Sequence, residues 1–335
     1  MKIVVRGANW IGDAVMTIPA LRSLRSAYPD ASIALYTRPW AEGVFRDADF
    51  IDEVIPITSK HFLIQAPELR RRRFDLAILF PNSFESALVA RLAGIPQRVG
   101  YATQHRGFLL TDRVQVPDWK NHDHESRYYL NLVESISGTG SADMDPSLPV
   151  SPLRRHAVGE LLRSSGVGEN RPVIGFGAGS TNSMAKRWPA ENFARLADLL
   201  TEHLGASVVL LGAGNEVDVS TSIKTAARSN LIDVTGKTDL GTATALLSEL
   251  DLFISNDMGL AHIAAAVGTP TIVIFGPTKD VTTRPLGPHV EILREPVECS
   301  PCMFRECPID HRCMTRISPE RVFETAAKML ETRHQ

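Results

Sequence analysis

The stretch from Asp251 to Phe275 reads DLFISNDMGLAHIAAAVGTPTIVIF. Its apolar run ends in Asn256-Asp257. A helix of small residues opens at Gly259, and a β-branched run follows. This is a strand–turn–helix–strand unit whose loop lies at the carboxyl end of a buried parallel strand. Ligands of open α/β sheets bind at that edge. Gly259 allows close backbone approach, and the new helix directs unpaired N–H groups outward, so the expected guest is an anion such as a diphosphate. His262, one turn into the helix, is placed to face the same guest.

Outward from this unit the pattern repeats. Before it come PVIGFGAG, a strand into a loop, the helix AENFARLADLLTEHLG, SVVLLGAGNE and NLIDVTGK. The first half alternates in the same way: KIVVR, SIALYT, DEVIPI, FDLAILF and QRVGY read as strands, with helical segments between most of them. A helix over 122–137 runs into GTGSADMDPSLPVSP, whose Gly, Ser, Asp and Pro content marks a linker. The expected fold class is α/β, with two Rossmann-like domains facing across a cleft. Expected bounds are 1–150 for the first domain, 151–317 for the second and 318–335 for a closing helix that begins Ser-Pro-Glu.

Composition narrows the function. The chain has 335 residues, 44% of them hydrophobic, and a net charge of −2, so bulk charge does not point to nucleic acid. The opening MKIVVRGANW is a strand entering a glycine loop, not a signal peptide. No window approaches the ~20 apolar residues of a membrane span. A cytoplasmic protein is expected, with a peripheral membrane contact left open.

Four loops at strand ends carry the chemistry. In Arg6-Gly7-Ala8-Asn9-Trp10-Ile11-Gly12-Asp13, Asp13 is either a helix cap or, beside a substrate cleft, a general base. The run from Gly177 to Pro189 offers Ser180 and Thr181 hydroxyls and the Lys186 charge as a phosphate cradle. Gly212-Ala213-Gly214-Asn215-Glu216 lacks the third glycine of a dinucleotide fingerprint, because Val217 stands there. Glu216 is then either a ribose acceptor or an acidic residue in a helix's first turn. The fourth loop holds Asp257, Met258, Gly259, Leu260 and His262, as ligand site or as cap and buried histidine. The missing fingerprint weighs against a nicotinamide dehydrogenase, and the Asp13 and Lys186 loops together weigh against a pure binding protein.

Three further clusters are weaker. Arg70 to Arg73 read as a solvated helix end, or as a contact for anionic lipid or phosphorylated sugar. His122-Asp123-His124-Glu125 opens a helix and could suggest a metal, against charged residues that face water. Cys299, Cys302, Cys307 and Cys313 have spacings that could close a structural zinc site, against reduced thiols packing a loop.

Together, GANWIGDAV, GAGSTNSMAKRWP, SNDMGLAHIAAAVGTPTIVIFGPT and CSPCMFRECPIDHRCM closely resemble the ADP-heptose:lipopolysaccharide heptosyltransferases of glycosyltransferase family nine, over essentially the whole chain. Within the family, the resemblance runs to the branch adding the second heptose of the inner core. It implies a GT-B fold, with acceptor held mainly by the first domain and ADP-heptose by the second. It also implies inversion at the anomeric carbon with no required cofactor or metal. The implied acceptor is a heptosyl-Kdo-lipid A core at the cytoplasmic face of the inner membrane. Asp13 matches the family's catalytic aspartate, with Lys186 as its partner in catalysis. Ser180, Thr181 and Lys186 match the diphosphate loop, and Glu216 a donor-binding acid. Asp257, Gly259, Leu260 and His262 match the stretch holding donor sugar and phosphate. Met258 departs from a related branch, which has glycine there. Rival readings are a family member with a different acceptor and a nucleotide-sugar epimerase of the same architecture.

Overall fold

The computed structural model describes residues 1–138, 143–168 and 171–333. It divides into two compact units, Met1–Pro149 and Val150–Gln335. Part of the Gly-Ser-Asp-Pro linker, residues 139–142, lies outside the described residues.

The first unit carries six parallel strands: β1 (Lys2–Arg6), β2 (Ser32–Thr37), β3 (Glu53–Pro56), β4 (Leu76–Leu79), β5 (Gln97–Tyr101) and β6 (Asp112–Val114). Their order is β3-β2-β1-β4-β5-β6. The second unit carries β7 (Val173–Gly177), β8 (Ser207–Leu210), β9 (Ile232–Asp233), β10 (Leu252–Asn256), β11 (Thr271–Phe275) and β12 (Val290–Arg294). Their order, β12-β11-β10-β7-β8-β9, is the same winding. In each sheet the order reverses between the first and fourth strands, β1/β4 and β7/β10, which is where doubly wound sheets open a crevice at their carboxyl ends.

Central strands are buried throughout, as β4, β10 and β11 show, because crossover helices cover both faces. Val4, Ala34, Tyr36, Ile55 and Leu79 share one core. Ile174, Phe176, Trp188, Phe193, Ile254, Ile274, Met314 and Val322 share the other. The helix Ala190–Leu204 stops at Gly205, whose φ of +63° suits a residue without Cβ. The final helix, Pro319–Arg333, packs on it and joins the second core through Val322, Ala326 and Leu330. Just before that helix, the Ile317 carbonyl accepts from Trp188 Nε1 at 2.9 Å.

Two sequence readings change. The helix expected over 122–137 is Glu125–Ser137, and His124 does not face water. It is buried and its Nδ1 caps the helix by accepting from Ser126 N–H at 3.2 Å. The strands β6 and β12 were not expected. Both are sheet edges with half-exposed residues and no apolar run to announce them.

Candidate active site

In the second unit, three loops meet at the carboxyl edge around the β7/β10 reversal. Asn256, the last residue of β10, is wholly buried and braces them. Its Nδ2 donates to the Ala178 carbonyl at 2.6 Å and the Gly179 carbonyl at 3.3 Å, while Oδ1 accepts from Trp188 N–H at 2.9 Å. The loop after β7 is thus held at both ends by one side chain. Between those ends lie Ser180, which is buried, Thr181, which is exposed, and Lys186, which closes a short 3₁₀ turn.

The Lys186 ammonium sits 2.6 Å from Asp257 Oδ2, and Thr278 Oγ1 donates to the same oxygen at 2.7 Å. Asp257 therefore fixes the lysine, rather than standing apart from it as a separate donor contact. A lysine ammonium has three donors, so one bond to Asp257 leaves others for phosphate oxygens. After Asp257 the helix Gly259–Ala266 starts with Met258 as N-cap and no side-chain cap bond, so its first N–H groups stay available to an anion. Met258 packs over β7: a Cβ on Gly177 would lie 2.8 Å from its Sδ. Leu260 and His262 are buried in the helix's first turns.

Glu216 follows the β8 loop and is also buried. Its Oε2 accepts from Ala213 N–H at 2.9 Å. Its Oε1 is buried with no hydrogen-bond partner among the described residues. That oxygen presses on the β7 loop, since a Cβ at Gly179 would lie 2.0 Å away. Any larger residue there would have to push the Glu216 carboxylate out of this position. Ser180, Lys186, Glu216 and Asp257 are thus gathered on adjoining loops of one sheet edge. Asn256 and Thr278 were not singled out for these roles in the sequence, because what they do is long-range bracing.

The cysteine segment reaches this same edge. Ala185 N–H donates to the Arg305 carbonyl at 2.9 Å, and His311 Nε2 donates to the Ala185 carbonyl at 2.6 Å. Ser183 Oγ donates to the Arg305 carbonyl at 3.2 Å. The segment from 299 to 313 thereby straps the turn that carries Lys186. Cys299 is exposed, Cys302 and Cys307 are half-buried and Cys313 is buried. Burial, with the neighbouring Cys299, Cys307 and Cys302, pushes the Cys313 thiol up to about 11. Among the described residues, no three His, Cys, Asp or Glu side chains are grouped as metal ligands.

In the first unit, the loop after β1 is pinned to β2. Gly7 N–H donates to the Tyr36 carbonyl at 3.0 Å and Thr37 Oγ1 to the Ala8 carbonyl at 3.1 Å. A Cβ at Gly7 would lie 2.9 Å from Thr37 Cβ, which explains the glycine. Asp13 is third in the helix Ile11–Met16. The N-cap is Trp10, which makes no side-chain cap bond, so Asp13 is not the cap. Tyr129 is its electrostatic neighbour: burial, then Asp13, holds that phenol well above its usual range.

The sequence pattern of glycosyltransferase family 9 (heptosyltransferase) matches residues 64–312. The chain belongs to that family. It is therefore a glycosyltransferase of the heptosyltransferase group. The chain is 32% identical over 310 residues to lipopolysaccharide heptosyltransferase 2 of Escherichia coli (strain K12), covering 88% of each chain. It is 28% identical to lipooligosaccharide heptosyltransferase 2 of Haemophilus ducreyi, covering 98% of this chain and 99% of that one. Among solved structures, the E. coli ADP-heptose lps heptosyltransferase II matches with a TM-score of 0.87 and 29% identity over all of both chains. The two parallel α/β sheets of this family 9 transferase are accordingly of the GT-B class.

Proposed function

We propose that this chain moves a heptose from ADP-L-glycero-D-manno-heptose onto the heptosyl-Kdo-lipid A inner core of lipopolysaccharide, with inversion and without a required metal. The observation that carries the reading is the Lys186–Asp257–Thr278 cluster, set beside Ser180 and the start of the helix at Gly259, in a family 9 chain similar to heptosyltransferase 2.

Inverting transfer is a single displacement. An acceptor hydroxyl attacks the anomeric carbon from the face opposite the leaving ADP. Asp13 takes the hydroxyl proton as general base. Charge building on the diphosphate is met by Lys186, the Ser180 and Thr181 hydroxyls and the N–H groups at Gly259. Each preorganised donor of this kind lowers the barrier by ~3–4 kcal/mol. The partnerless Glu216 oxygen supports its reading as acceptor for donor hydroxyls, the ribose being the natural source. Leu260 and His262 complete the donor-side stretch, with Met258 shaping its floor.

The decisive assay offers ADP-heptose with lipopolysaccharide cores truncated to defined lengths and identifies the product by mass. Transfer to a core bearing one heptose supports the reading. Transfer only to a core without heptose, or epimerisation of the donor without transfer, would replace it.

We also place the protein peripherally on the cytoplasmic face of the inner membrane. No helix among the described residues is long and apolar enough to cross a bilayer. The helix Phe62–Arg72 exposes Leu63 and Ile64 at one end and carries Arg70, Arg71 and Arg72 at the other, a combination suited to an anionic surface. Sedimentation with anionic but not neutral vesicles checks this placement. A structural zinc on the four cysteines stays a lesser proposal, decided by elemental analysis: about one zinc per chain is what a closed four-thiolate site requires.

A further inference from the structure

We propose that Arg6 and Arg38 form an oxyanion-binding subsite for the acceptor saccharide, at the carboxyl edge of the first sheet and one loop from Asp13. This rests on the transferase reading above and adds to it where the acceptor's negative charge is held.

Arg6 ends β1 and Arg38 directly follows β2, and these strands are paired neighbours with Arg6 opposite Tyr36. The two residues therefore leave neighbouring strands at one sheet edge, the edge from which the Asp13 loop departs, and the charge of Arg38 reaches Arg6. Both residues are only partly exposed. Neither has a carboxylate within ion-pair distance among the described residues. Arg6 donates to two neutral oxygens, the Gly7 carbonyl and Asn9 Oδ1, the latter at 2.7 Å. The acidic group whose field reaches Arg6 is Glu85, which is exposed and already accepts from Gln65 Nε2 at 3.2 Å. Burial and the like charge of Arg38 lower Arg6 to about 10, so the pair is held at an electrostatic cost.

Other buried arginines of this unit show what a structural role looks like. Arg106 donates to the carbonyls of Tyr101, Pro81 and Ser83 and to Asn82 Oδ1, knitting two loops together. Arg98 donates to the carbonyls of Leu109, Ile95 and Pro96. Among the described residues Arg6 ties down only its own loop, and the Arg38 side chain makes no hydrogen bond. An arginine has five N–H donors in a planar fork matched to carboxylate and phosphate oxygens. Two such forks with donors to spare, at the sheet edge from which the loop to Asp13 departs, suit an anionic group on the acceptor. Its source is either the carboxylate of a sugar acid or a phosphate monoester on the saccharide.

The test is steady-state transfer by the full chain with three acceptors: the intact truncated core, the same core after phosphatase treatment, and the same core with its sugar-acid carboxyl converted to an amide. Arg38→Gln should raise the acceptor KM about tenfold or more, the value of a lost charge-assisted hydrogen bond, with kcat and ADP affinity nearly unchanged. Arg6→Gln should do the same and Arg6→Lys should restore part of the loss. Should Arg6→Gln fail to fold, Arg38→Gln and Arg6→Lys decide alone. Removing the group that is bound should cost the wild type the same factor and cost Arg38→Gln nothing, and the modified core that shows this names the source. An acceptor KM within twofold of wild type in Arg38→Gln overturns the subsite, as does equal loss by both enzymes on both modified cores. A wild type that transfers heptose to no core overturns the transferase reading instead.

Discussion

Asp13 stands third in its helix, with Trp10 at the cap, so it is a first-turn acid and not the N-cap residue. Asp13→Asn should leave the fold intact, since it keeps the side chain's shape and removes a first-turn charge of about a few tenths to one kcal/mol. Transfer should fall about 100-fold or more, as for loss of a general base. ADP titration should give a near-wild-type affinity. Turnover close to normal would reduce Asp13 to a first-turn carboxylate with no part in the reaction. Lys186 makes the complementary case. Its ammonium is aimed by Asp257, so the same charge meets the diphosphate in the ground state and as it departs. Lys186→Ala should weaken ADP binding and slow transfer together, and added magnesium should rescue neither. If the wild type loses its activity in chelator and regains it with magnesium, the metal-free mechanism is wrong.

Among the elements, the end of β10 does more than present a loop. Asn256 holds the loop after β7 through two carbonyls and the Trp188 N–H, all buried. Asn256→Ala strands those groups without partners, a loss on the order of 2 kcal/mol or more. Thermal unfolding should move to lower temperature and ADP affinity should fall, because the loop carrying Ser180 to Lys186 loses its brace. Retained affinity with lowered stability would show that the loop holds its shape without Asn256. This scale also shows what the sequence discloses. Apolar runs such as LFIS and TIVIF, ending in Asn, Asp or Gly, make β7, β8, β10 and β11 legible, along with the loops behind them. The edge strands β6 and β12 are not legible, because a strand that is half exposed has no apolar signature. The local sequence of Glu216 fits a ribose acceptor and a first-turn acid equally. Only its turn back toward Gly179, a contact across 37 positions of chain, places its carboxylate under the β7 loop. The strap over Ala185 is longer in range still, and no local pattern encodes it.

At the scale of the whole molecule, each unit has its own complete sheet and its own core, and the final helix belongs to the second. Residues 150–335 expressed alone should therefore fold and bind ADP within a few-fold of the full chain, while transferring nothing, because Asp13 is missing. Calorimetry with ADP checks this, and a fragment that folds but does not bind would show that donor affinity needs the first unit. The strap has a chemical consequence of its own. Its thiols differ in reactivity: Cys313 is buried and held protonated, whereas Cys299 is exposed. An electrophile such as iodoacetamide should alkylate Cys299 first and Cys313 last. Bulk added at Cys302 or Cys307 would pull Arg305 and His311 off the Ala185 backbone and so shift Lys186 without touching it. ADP affinity should decline as those two sites fill, at a rate set by the thiol chemistry, and serine at both positions should make the enzyme indifferent to the reagent. The segment would then serve as a covalent handle for inhibiting the transferase from outside the nucleotide pocket.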